Sequence, residues 1–170
     1  VKNRKRCMIL LVQKSDGKIS TSPFSPLIGG SMLATVSNFI NQRNSVFADT
    51  DCAPFGQEIV TIEATIIINN TVGSDFAKED INNRLNFYFS PWTKTDLPQI
   101  AIDSPIYLEQ VLQIINDLPY VKNVQNLFFK TGLTDAHQTK QSAGNAIIPA
   151  QPDLLFVSAA NHNLTIKFEI

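Results

Sequence analysis

Cysteine, histidine and strong net charge are all in short supply in this chain. Two cysteines, Cys7 and Cys52, are too few for a disulfide framework or a four-cysteine zinc site. Two histidines, His137 and His162, leave little for a histidine-rich metal centre. The 14 basic residues nearly balance the 15 acidic ones, leaving a formal charge of -1. That disfavours a nucleic-acid binder relying on a broad basic field. Lys2, Arg4, Lys5 and Arg6 form only a local cluster, read as the solvated start of a strand. No apolar stretch approaches the roughly 20 residues of a membrane-spanning helix. The run Cys7 to Val12 is short, and Gln13-Lys14-Ser15-Asp16-Gly17 follows it without a small-residue cleavage site. It reads as a buried strand rather than a signal peptide.

A hydrophobic fraction of 44% over 170 residues is enough for a real core and argues against wholesale disorder. The chain opens on Val1 and closes within a strand-like pattern, so a piece of a longer protein is expected. After a Pro- and Gly-bearing loop, Met32, Leu33, Val36, Phe39 and Ile40 recur at helical spacing, with Ser31 as the expected cap. A short strand fits Val46 to Asp51. From Ile59 to Ile68, Val60, Ile62, Ala64, Ile66 and Ile68 alternate with Thr61, Glu63 and Thr65, the period of a half-buried strand. Ser74 or Asp75 is expected to cap a second helix carrying Ala77, Ile81, Leu85, Tyr88 and Phe89, stopped by Ser90-Pro91. Ser104, with Pro105 at the first helical position, predicts a third helix bearing Leu108, Val111, Leu112 and Ile115.

A strand follows from Tyr120 to Phe129. Residues 131–153 read as a long polar loop, of a length that is usually functional or mobile. Leu154 to Val157 and Leu164 to Ile170 read as two strands joined by a hairpin turn at Asn161-His162-Asn163. Leu164, Ile166, Phe168 and Ile170 are expected to share a buried face. This order predicts an α+β protein of two small mixed modules, residues 1–90 and 91–170, each with helices packed on a mostly antiparallel sheet.

Candidate chemistry is thin. Cys52 with His137 has the residue types of a nucleophile and its base, but no signature surrounds either. Asp49-x-Asp51 has the opening of a calcium loop without its glycine and distal glutamate. Gly29-Gly30 precedes a helix without a phosphate-binding pattern. His162 reads as a turn residue bonded to backbone. Phe87-Tyr88-Phe89 with Trp92 has the material of an aromatic platform, though core or junction packing is the favoured reading. Ile147 and Ile148 stand out as apolar residues within a polar loop, suited either to docking on a partner or to tucking against the chain's own sheet.

Four local phrases, in order, carry a resemblance. They are Met32 to Arg43 with Ala53-Pro54-Phe55 and the strand Ile59 to Ile68; Ile81-Asn82-Asn83-Arg84-Leu85-Asn86-Phe87-Tyr88-Phe89-Ser90-Pro91-Trp92; Ile106-Tyr107-Leu108 through Leu118-Pro119-Tyr120-Val121-Lys122-Asn123-Val124; and Pro152 to Leu164, with Ser158-Ala159-Ala160-Asn161-His162. Together they resemble the C-terminal part of the baseplate J-like family, wedge proteins of contractile phage tails and related injection machines. Tyr120 stands where that family commonly has glycine, and Phe55 where it has tyrosine.

The resemblance implies a structural role without catalysis, cofactor or metal. The implied partners are other wedge subunits and hub or spike proteins in a hetero-oligomeric particle assembled in the cytoplasm, with no nucleic acid and no membrane insertion. Trp92, Ile147 and Ile148 are the expected interaction residues. The competing expectation is a small α+β ligand-binding or enzymatic domain with loop 131–153 as a lid, which would show a concave pocket with convergent polar groups near His137.

Overall fold

The computed structural model describes residues 5–11, 28–44, 48–90, 104–133, 140–141 and 144–169. Its organising element is strand β3, Gly56–Ile68. The alternation of the sequence is carried into space: Val60, Ile62, Ala64, Ile66 and Ile68 are buried on one face of the strand. They meet Ala77, Ile81 and Leu85 of helix α2 (Ser74–Tyr88) and Val111 and Ile115 of helix α3 (Leu108–Asn116) in the main core. Apolar side chains of this size contribute roughly 1.5–3 kcal/mol each when fully buried, so this face dominates the stability of the fold.

Strand β5 (Val121–Gly132) runs antiparallel along β3. The pairing passes from Glu63 opposite Phe128 to Thr65 opposite Gln125, so two residues of β5 face Ala64 alone. Asn126 sits in this bulge with φ 52°. Asparagine tolerates the left-handed region better than most residues, which suits it to the extra position. On the other side of β3, strands β8 (Leu154–Ser158) and β9 (Asn163–Phe168) lie end to end, and both run parallel to it. A hairpin at Asn161-His162-Asn163 would reverse the chain between them. The chain instead continues in one direction: from the Val60–Ser158 pair to the Glu63–Asn163 pair, β3 advances three positions and the outer strand five. Two surplus residues bulge out of a single broken strand.

The chain is an α+β protein with mixed pairing. β3/β8, β3/β9 and the pair β1 (Lys5–Leu11) with β2 (Ala48–Pro54) are parallel, where a mostly antiparallel arrangement was expected. A cut at residue 90 would pass through hydrogen-bonded sheet, because β3 comes from the first half and β5, β8 and β9 from the second. Helix α1 (Gly30–Asn41) lies between β1 and β2 in sequence. Asn41 fastens it to β2: its Nδ2 donates to the Thr50 carbonyl at 3.0 Å and its Oδ1 accepts from the Thr50 N–H at 3.3 Å. Phe55, Leu155 and Val157, with Leu10 and Ile59, form a second cluster on the opposite face of the sheet from the main core.

The helix starts differ from expectation. Gly29 and Gly73 are the caps of α1 and α2, in place of Ser31 and of Ser74 or Asp75. Ser104-Pro105 does not open α3, because Ile106–Tyr107 is drawn into a two-residue strand, β4, against Ala146–Ile147, strand β7. The helix then begins at Leu108, where the Gln110 side chain accepts the Tyr107 N–H at 3.2 Å. Loop 131–153 is thus partly structured. Lys140–Gln141 (β6) pairs with β5, and Ile147 is buried in the main core. Phe168 is 46% exposed, so the buried face of β9 is confined to Leu164 and, in part, Ile166.

Candidate functional site

The densest polar arrangement lies where the broken strand meets α2. Between β8 and β9 no strand carbonyl is in register to serve Ile62. The His162 imidazole takes that place: its Nδ1 accepts the Ile62 N–H at 3.1 Å. Nδ1 is therefore unprotonated and Nε2 carries the hydrogen, facing Ser158 Oγ at 3.3 Å. Ser158 in turn donates to Asn86 Oδ1 at 2.6 Å. Asn82 and Asn86, one turn apart on α2, both donate to the Ala160 carbonyl, at 3.2 and 3.4 Å. Asn82 Oδ1 accepts the His162 N–H at 2.8 Å. The break is thus closed by side chains that imitate backbone, and α2 is bolted to it. Burial lowers the His162 pKa from its ordinary 6.5 to about 4, so the imidazole is neutral at physiological pH.

Serine, histidine and asparagine side by side have the residue types of a hydrolase centre. The hydrogen-bond directions are wrong for one. The imidazole nitrogen nearest Ser158 already bears a proton, and the free lone pair is committed to Ile62. Ser158 and His162 are also buried. His162 therefore cannot act as general base toward Ser158 in this arrangement.

A second feature is an open groove of about 480 Å³ between α2 and α3, lined by Asp80, Asn83, Arg84, Phe87, Tyr88 and Ile114. Asp80 Oδ2 accepts the Tyr120 hydroxyl at 2.7 Å and lies 3.5 Å from Arg84 Nε. Burial, together with the Asp80 carboxylate, pushes the Tyr120 pKa up, so Tyr120 remains a donor. Tyr88 Oη donates to Gln110 Oε1 at 3.0 Å, tying the two helices together across the groove.

Of the expected interaction residues, Trp92 lies outside the described residues. Ile147 and Ile148 are divided by the β4–β7 pairing: Ile147 is 7% exposed within the chain's own core and Ile148 is 63% exposed. Of the two readings open for this pair, Ile147 takes the one of tucking into the chain's own core. His137 also lies outside the described residues. Cys52 is a half-buried free thiol on β2. Asp49 and Asp51 lie on the same extended strand, a geometry that does not curl ligands around a calcium ion. Among the described residues no group of three or more His, Cys, Asp or Glu side chains could hold a metal. The Phe87-Tyr88-Phe89 run is also divided, Phe89 entering the core and Phe87 remaining 54% exposed. The roles of Asn82, Asn86 and Ser158 were missed in the sequence; two asparagines at helical i, i+4 spacing, on the flank of an apolar stripe, were the available signal.

The sequence matches no protein-family model, and no curated protein matches it. A chain of the anti-feeding prophage (AFP) baseplate, solved by cryo-EM and 6-fold symmetrised, is similar in fold, with a TM-score of 0.63 over 92% of this chain at 16% identity. This chain spans 29% of the length of that one. Among the described residues no helix is long and apolar enough to cross a membrane.

Proposed function

We propose that this chain is a structural module of the baseplate of a contractile tail-like particle, acting through protein–protein contacts and without catalysis. The observation that carries the reading is the fold shared with a chain of the AFP baseplate over 92% of this sequence. The four sequence phrases support the finer assignment, to the C-terminal part of a baseplate J-like wedge protein joined to other wedge subunits and to hub or spike proteins. The polar residues fit this role: the Ser158–His162–Asn86 set is spent on holding a strand to a helix. The lid reading has less to stand on, since Lys140–Gln141 and Ala146–Ile147 are paired into sheets within the supposed lid.

An affinity tag on the native protein tests the proposal. Purification from the producing cell should bring down particles with sheath and tube proteins, visible by negative-stain microscopy. Recovery of the protein free of any particle, under conditions where particles are abundant, would overturn it.

A further inference from the structure

Residues 104–107 carry two incompatible instructions. Ser104 as a cap and Pro105 at the first helical position favour a helix start there. Ile106 and Tyr107 are instead held extended, Ile106 opposite Ile147 and Tyr107 opposite Ala146. Helix α3 begins one turn late, at Leu108. Local preference and tertiary pairing are thus opposed over a single turn of chain.

The hydrogen bonds at this junction have a second set of partners in helical geometry. The Leu108 N–H donates to the Asn145 carbonyl at 2.7 Å, and the Tyr107 N–H to Gln110 Oε1 at 3.2 Å. In a helix capped by Ser104, the Leu108 N–H would meet the Ser104 carbonyl, four residues back, and the Tyr107 N–H would meet the Ser104 hydroxyl. Neither donor is orphaned in either arrangement. The apolar side chains also exchange. In the strand, Ile106 packs on the main core and Tyr107 is 48% exposed. On a helix, Tyr107 lies four residues before Val111 on the core-facing stripe, and Ile106 turns to the opposite face. The balance is held by residues 145–150. Ile147 of this strap is buried in the main core, and the Ala150 N–H donates to Oε2 of buried Glu58 at 2.8 Å. Lifting the strap removes both the Asn145 acceptor and the strand partner of Ile106.

We propose that residues 104–107 form a two-state joint: a strand while the strap 145–150 is docked, and the first turn of α3 when the strap is lifted. The joint transmits the position of the strap to the length of the helix. It goes beyond the assembly reading and does not depend on it.

The test reads Cα and Cβ NMR shifts of residues 105–107 in the full chain. Ile147→Ser loosens the strap and should move Ile106 and Tyr107 from extended to helical shifts. Because that variant empties a core position, a second works from the other end. Tyr107→Glu, at an exposed site, completes a Ser-x-x-Glu capping box on the longer helix. It should raise the helical population of residues 105–107 and, at the same time, speed hydrogen exchange at the Ile147 and Ala150 amides. Adding Ser104→Ala to Tyr107→Glu should cut the helix-to-strand ratio about fivefold, the effect of a lost serine cap. Extended or coil shifts at residues 105–107 in the Tyr107→Glu chain would overturn the proposal. So would a helical shift that Ser104→Ala leaves intact, or strap amides whose exchange Tyr107→Glu does not change.

Discussion

Acidification should unfasten the broken strand through His162. In the native state its pKa is lowered by burial to about 4, against the ordinary 6.5 that an unfolded chain restores. Between those values the unfolded state binds a proton and the native state does not, so stability falls as pH falls. The loss begins as pH drops through about 6.5 and is complete near pH 4. A gap of about 2.5 pH units at about 1.4 kcal/mol each corresponds to roughly 3 kcal/mol, a large part of the 5–15 kcal/mol typical of a domain. Protonation would also place an N–H opposite the Ile62 N–H, removing the acceptor that joins β3 to the break.

The assay is urea unfolding of the parent and of His162→Asn across about pH 7.5 to about pH 4. Asparagine keeps a short acceptor near the Nδ1 position and does not titrate. It loses the ring and its contact with Ser158, so the variant is less stable at neutral pH. Other titrating groups contribute equally to both proteins. The parent's advantage should therefore shrink by about 3 kcal/mol over this range. An advantage that stays constant with pH, or a His162 titration near 6.5 by NMR, would refute the reasoning.

Three further outcomes follow from the packing. Ser158→Ala strips Asn86 Oδ1 of its donor and the imidazole Nε2 of its acceptor, and should cost about 1–3 kcal/mol in urea unfolding at neutral pH. At the β5 bulge, Asn126→Gly should be neutral or slightly stabilising while Asn126→Val costs about 1–2 kcal/mol, read from the same unfolding midpoints. Ile66→Ala, at a fully buried position, should cost about 2–5 kcal/mol, whereas Phe168→Ala should cost under about 1 kcal/mol because that ring is 46% exposed.

The strands and helices with a clean period were legible because burial on one face imposes it. β3 and the inner face of α2 lie where alternation and i, i+4 spacing put them. Helix starts were less legible. Ser104-Pro105 is a good local opening, but Ile106 and Tyr107 gain more from pairing with Ala146 and Ile147 than from joining the helix, and that partner lies some forty residues downstream. Phe168 was misplaced for a related reason. Alternation says which side chains share a face, and only the neighbouring layer says how far along the strand that face is covered.

The Asn161-His162-Asn163 segment shows why the candidate site was harder still. Two apolar runs separated by a few polar residues are compatible with a reversal or with an interrupted strand, and the intervening residues are equally polar in either case. The distinction lies in the partner strand: β3 continues straight past the gap, leaving the Ile62 N–H buried and without a strand carbonyl to meet it. A buried N–H must be satisfied, and a neutral imidazole can do so at Nδ1 while its Nε2–H reaches Ser158. That arrangement needs Asn82 and Asn86 from a helix almost eighty residues away, so the sequence around His162 alone could not disclose it. The consequence for function is direct. The residues that look most like chemistry, Ser158, His162 and Asn86, are consumed by the fold.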